Sequence, residues 1–157
     1  SSLFNDTAPT STVFTIGTEN AFNNANQETI AYCFADIEGY SKFGSYTGNG
    51  SDDGTFVYTG FKPAWVMIKN ITQTSAGAAW HILDIKRDSF NEMSNELAAN
   101  AVASENGVDG GVKLDFLSNG FKLSGNTYHN YNGGTHIYMA FASNPFVSSS
   151  GVPNTAR

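Results

Sequence analysis

The sequence predicts an all-β fold, an antiparallel β-sandwich with at most one short helix. Three observations carry the prediction. Apolar and aromatic residues gather in runs of four to eight, separated by Gly-, Asn- and Ser-rich turns every eight to twelve residues. Charged residues are only 14% of the chain, while aromatics reach 13%, which suits a weakly charged surface over a packed core and excludes disorder. The third observation is internal similarity at an offset of 107 residues, from Phe14 to Phe121. Asn23/Asn130, Ile30/Ile137, Phe34/Phe141 and Ala35/Ala142 match at that offset, the mark of a repeated supersecondary unit.

The repeat sets the expected organisation. Residues 1–38 read as an N-terminal arm resembling the last third of a preceding repeat. Residues 39–147 read as the sandwich unit, and residues 148–157 as a polar C-terminal tail. On this reading the chain is a piece of a longer modular protein. Both similar segments, Phe14–Ala35 and Phe121–Ala142, read as hairpins whose second strand is almost wholly apolar. Cys33 lies in the first of these runs and is expected to be a buried, inert thiol; as the single cysteine it excludes an intrachain disulfide.

Each element has its own signal. Tyr40–Tyr46 alternates as a strand and ends in the turn-rich segment Thr47–Gly54. Thr55–Thr59 is a short β-rich run. Ala64–Ile71 is strongly apolar, and Pro63 suits its first or preceding position, where no ladder donor is needed. Residues 73–78 form a small-residue loop before Ala79–Asp84, a strand able to form a hairpin with the one before it. Ser89–Glu105 carries Met93, Leu97 and Ala101 at helical spacing among Asn and Ser residues, so a short helix and an ordered loop both fit. Residues 106–111 read as a Gly-Asp turn. Val112–Leu117 and Gly120–Leu123 flank Asn119-Gly120, a strong hairpin signal. Tyr128–Gly134 is a Tyr/Asn/His/Gly loop, and Thr135–Ala142 closes the unit. The interrupted alternation in several strands implies sheets covered on both faces or an oligomer interface. Trp65 and Trp80 are expected as core anchors.

Charge limits the partners. A net charge of −6 disfavours a nucleic-acid backbone or an anionic membrane, and no apolar stretch approaches the ~18 residues of a membrane span. No nucleophile elbow, dinucleotide loop or serine or cysteine triad is present, so no catalytic residue is assigned. Asp84, Asp88, Glu92 and Glu96 surround Lys86 and Arg87 and read as local ion pairs on a solvated turn, with glycosidase carboxylates as the sharper alternative. Residues 48–54 lack ordered calcium-loop spacing and read as turn chemistry. His81, His129 and His136 are too scattered for a metal-ligand spacing, so neither metal nor cofactor is expected. The candidate ligand-binding residues are Tyr128, His129, Asn130, Tyr131 and Asn132, because Tyr rings offer flat faces to a sugar and Asn amides pair with its hydroxyls.

The runs Gly39–Gly50, Phe56–Lys69, Asp115–Phe121 and Ile137–Ala142, down to Asn144-Pro145-Phe146-Val147, resemble a domain of virion structural and tail-fibre-like proteins of marine bacteriophages, the cyanophage kind included. The resemblance implies a jelly-roll, concanavalin A-like lectin sandwich, a virion-surface or extracellular location, and partners that are other copies of the chain and other virion proteins. It also implies carbohydrate or host-surface contact, and with the sandwich reading the expectation is a non-enzymatic homo-oligomer that meets host-surface glycan through loops at one end, residues 47–54, 73–78 and 126–134. A purely structural or capsid-decorating role and a polysaccharide-degrading enzyme stand as the alternatives.

Overall fold

The computed structural model describes residues 4–73, 79–105, 113–147 and 153–155. The chain divides into two units, Ser1–Phe34 and Ala35–Arg157. Among the described residues of the first there is no helix or strand. It runs through short turns, with Thr7 N–H donating to the Phe4 carbonyl and Phe22 N–H to that of Glu19, and the Asn23 amide closes a wider loop on the Gly17 carbonyl (2.8 Å). The expected hairpin over Phe14–Ala35 is therefore absent. Its apolar residues lie open, Ile30 at 77% and Tyr32 at 81% exposure, and Cys33 is exposed with them. The run is apolar enough for a central strand, but among the described residues no strand forms a backbone ladder with it, though the Ser41 hydroxyl reaches the Ala35 carbonyl (2.8 Å), and the thiol is left exposed.

The regular secondary structure described in the second unit is nearly all strand, in two antiparallel sheets. Strands β1 (Ser41–Thr47), β2 (Phe56–Tyr58), β3 (Pro63–Asn70), β4 (Trp80–Asp84), β5 (Leu97–Ala98), β6 (Leu114–Leu117), β7 (Gly120–Leu123) and β8 (Thr135–Ala142) follow in chain order. The larger sheet is ordered β1-β8-β3-β4-β5 and the smaller β2-β7-β6. A separate ribbon pairs β9 (Pro145–Val147) with β10 (Pro153–Thr155). The tail expected over residues 148–157 otherwise lies outside the described residues, as do most of the 73–78 loop and the 106–111 turn. No helix among the described residues is long and apolar enough to cross a membrane.

Two expected hairpins form. β3 pairs with β4, Met67 facing Ile82, and β6 pairs with β7 across Ser118-Asn119, Leu117 facing Gly120. Gly120 has a further reason to be glycine: a Cβ there would sit 2.1 Å from the Val57 carbonyl oxygen of β2. The hairpin expected over Phe121–Ala142 does not form, because β7 belongs to the small sheet and β8 to the large one. The intervening Tyr/Asn/Gly segment crosses between the sheets instead of turning back within one. Ser89–Glu105 is an ordered loop, not a helix, holding an isolated bridge at Met93 and the short β5.

Burial alternates along the strands where interruption was expected: β3, β4, β6 and β8 each show a strict two-residue period over most of their length. The inward residues Val66, Ile68, Leu83, Tyr138 and Ala140 of the large sheet meet Val57, Leu114, Phe116, Phe121 and Leu123 of the small one. Phe121 packs edge-on against Tyr46 and Tyr138, at 6.1 and 5.4 Å between ring centroids. Trp65 and Trp80 are not core anchors. Strand parity places both on the outer face of the large sheet, half-buried, with Trp65 against Phe141 (5.5 Å) and the Lys69 ammonium over Trp80 (5.4 Å).

Candidate functional site

Two polar constructions stand out against this frame. The first joins the loops of residues 48–54 and 126–134. Gly48 N–H donates to the Gly134 carbonyl (2.9 Å), Gly133 N–H returns to that of Gly48 (2.9 Å), and Gly50 N–H donates to that of Asn130 (2.7 Å). At the centre lies the fully buried side chain of Asn130. Its Oδ1 accepts from Asn49 N–H (3.1 Å) and the Thr55 hydroxyl (3.3 Å). Its amide nitrogen donates to the Gly125 carbonyl (2.8 Å), Asn49 Oδ1 (3.0 Å) and the Ser51 carbonyl (3.1 Å). Asn supplies both acceptor and donors on one planar group, which Asp or Leu cannot do.

Of the residues read as ligand-binding, His129 and Asn130 thus turn inward, Tyr128 is half-buried, and Tyr131 and Asn132 face solvent. Tyr128–Asn130 forms a short 3-10 turn. Its carbonyls are gripped from the large sheet. The Tyr46 hydroxyl donates to the His129 carbonyl (2.7 Å), and the Asn70 amide (3.3 Å) and His136 Nε2 (2.8 Å) meet the Tyr128 carbonyl. His136 Nδ1 also faces the Gly134 carbonyl (3.0 Å), so a neutral ring donates to one of its two carbonyl neighbours. The ring stacks on Tyr46 (4.8 Å, 6°). Burial pulls the His136 pKa below the ordinary imidazole value against these two carbonyls.

The second construction is what this grip achieves: it holds His129 against His81 and Glu96. His81 lies on the inward face of β4, beside Ile68 of β3. Glu96 immediately precedes β5, whose Ala98 pairs with His81, so carrying the register back one step sets Glu96 across from Leu83 on the same face. All three are buried, with exposures of 1%, 0% and 3% for His81, Glu96 and His129. His81 Nδ1 lies 3.0 Å and His129 Nε2 3.3 Å from the same oxygen, Glu96 Oε2. The rings meet edge to face, 4.3 Å apart. Despite these distances, no ring nitrogen of His81 or His129 has a hydrogen-bond partner among the described residues, because the directions are wrong. Burial, then the nearby His81 and His136, hold the His129 pKa well below the ordinary value and the ring neutral.

The sequence reading missed this cluster, since its members lie 15 and 33 residues apart on three different segments. An acid ending a polar run directly before a two-residue strand was its only trace. The other acids of that region are engaged individually. The Asp84 carboxylate accepts from the backbone N–H groups of Lys86 and Arg87, Asp88 from those of Ser94 and Asn95, and Glu92 from the Ser124 hydroxyl. Asp53 pairs with Lys122.

Residues 1–145 match a family described as a domain of unknown function (DUF7483). No curated protein and no solved structure matches the chain.

Proposed function

The chain belongs to the DUF7483 family, and we propose that it is a non-enzymatic, self-associating β-sandwich module of a virion appendage. One observation carries the self-association. Across the outer face of the large sheet, Phe43, Met139, Met67, Ile82 and Leu97 stand in one register row, each directly opposite the next. Trp65 and Phe141 adjoin the row on one side, Ile137 and Trp80 on the other. Every one of these side chains is half-buried rather than buried. A contiguous apolar face of this kind marks an interaction surface in a protein that functions in water.

The occupant we assign is a second copy, which brings its own exposed apolar segment. Val13, Phe14, Ile16, Ile30, Tyr32 and Phe34 are all open to solvent, and Ile30–Ala35 repeats the pattern of the β8 residues Ile137–Ala142. Chains that carry both an apolar face and an exposed apolar segment bury both by associating. The resemblance to virion tail-fibre-like domains fits such a module, and individually engaged carboxylates fit a role without catalysis.

Light scattering on the intact chain tests the proposal. It predicts a mass that is a multiple of 16.8 kDa, falling towards the single-chain value when residues 1–34 are removed. A single-chain mass at every concentration would contradict it.

A second reading has its own observation. The 48–54 and 126–134 loops are fused at one edge and expose Tyr131 (42%) and Asn132, an aromatic face beside an amide, as a weak glycan subsite multiplied by avidity requires. A glycan array probed with multimerised protein tests this host-contact reading. Loss of signal in Tyr131→Ala supports it, and silence of the wild type with intact assembly leaves the module purely structural.

A further inference from the structure

We propose that His81, Glu96 and His129 bind a first-row divalent transition ion of the zinc class. The ion would be a structural staple joining β4, the segment leading into β5 and the 126–134 loop. The argument begins with an energetic mismatch. Two imidazoles, buried to 97% or more, have four ring nitrogens without a hydrogen-bond partner among the described residues. Each neutral ring has one N–H and one lone pair to satisfy, and leaving such groups buried and unmet costs roughly 1–3 kcal/mol apiece. Native interiors avoid this, so buried nitrogens that lie beside a carboxylate oxygen, two of them within 3.3 Å, yet are misdirected for hydrogen bonds to it call for an absent partner.

The geometry names the partner. Ligands held at 2.0–2.1 Å around a tetrahedral ion lie about 3.3 Å from one another. The two nitrogens stand 3.0 and 3.3 Å from Glu96 Oε2, and one ligand atom from each residue falls within 4.8 Å of the others. In such a set each nitrogen lone pair points at the shared ion and off the line to its neighbour. Short nitrogen–oxygen distances without hydrogen-bond direction are the consequence. Hydrogen-bonded His–carboxylate pairs would show both the distance and the direction.

The donor set selects the ion. Two imidazoles and one carboxylate suit zinc and its first-row neighbours, whereas calcium and magnesium take oxygen ligands. Three protein ligands leave one position for the second Glu96 oxygen or a water, and burial of all three side chains away from any substrate assigns the ion a structural role rather than turnover. The grip on the turn carrying His129, from Tyr46, Asn70 and His136, supplies the outer support that orients such ligands. This inference stands independently of the assembly proposed above.

The test uses the full chain, produced with zinc in the medium and then desalted. Elemental analysis should find about one zinc per chain. After chelation, added Co²⁺ should give the visible d–d bands of a four- or five-coordinate site, and Zn²⁺ should raise Tm by ~5 °C or more. His129→Gln and Glu96→Gln should weaken binding at least ~10-fold, while Ser94→Ala, two residues from Glu96 but exposed, should leave it unchanged. A folded wild type that holds no zinc, gives no cobalt spectrum and shows no Tm response overturns the proposal. So does zinc retained at full stoichiometry and affinity in both Gln variants. If those variants fail to fold, the wild-type cobalt spectrum decides.

Discussion

At the scale of the residue, the fold depends on polar side chains that each satisfy several backbone groups at once. Asn130 is the clearest case, because both ends of its buried amide hold the 48–54 loop and the Gly125 turn. Asn130→Ala strands those groups, so a loss of ~2–3 kcal/mol is expected in denaturant unfolding. Faster hydrogen exchange at Asn49 should accompany it, and unchanged exchange there would show that the loop is held by other means. Asp88 works similarly at the start of the segment leading to Glu96. Its desolvation raises the carboxyl pKa, but the N–H groups of Asn95 and Ser94 and the Asn95 amide outweigh this and leave it lowered. A carboxyl whose folded pKa lies below its unfolded value of ~3.9 contributes stability above that value, and loses it as pH falls through the folded pKa. Asp88→Asn should therefore cost roughly 1–3 kcal/mol at neutral pH, and the difference from wild type should begin to shrink only near about pH 4 and disappear as pH falls through the lowered folded pKa. A pH-independent difference would show that the carboxylate charge is not what matters.

At the scale of the element, Gly120 ties the small sheet together. A methyl group there meets the Val57 carbonyl at 2.1 Å, so Gly120→Ala must separate β2 from β7, at a cost of ~1–3 kcal/mol. A variant as stable as wild type would mean that β2 shifts freely. The strands themselves were legible in the sequence, because a two-residue period and turn residues between runs report local geometry. Asn119-Gly120 and Pro63 marked strand boundaries for the same reason. What misled was apolarity without a neighbour. Ile30–Ala35 has a strand's composition, yet a strand exists only where another takes up its hydrogen bonds, and composition does not say whether one does. Trp65 and Trp80 failed likewise, since size suggests burial while parity decides the face. The His81–Glu96–His129 cluster was invisible because pairing of β4 with β5, and passage of the 126–134 loop between sheets, bring together residues with no common spacing.

At the scale of the whole molecule, the repeat at an offset of 107 residues relates two segments of different state: one is the central strand β8, the other an exposed run in the first unit. On the assembly account, the exposed copy gains in the oligomer the burial that β8 already has. Cys33 reports on this directly. Alkylation should be fast in dilute, dissociated protein and slow in the assembled form. Equal rates would remove residues 28–35 from the contact. The outer-face row Phe43–Met139–Met67–Ile82–Leu97 is the other side of the same claim, and sedimentation equilibrium of the intact chain carrying Met67→Lys and Met139→Lys tests it most directly. Both side chains are half-buried on a sheet surface, so a folded double variant is expected, and far-UV circular dichroism verifies it. The account predicts an oligomeric wild type and a variant whose association is weakened at least ~100-fold, the scale of burying two unpaired charges at an interface. A folded variant that associates as tightly as wild type would contradict it.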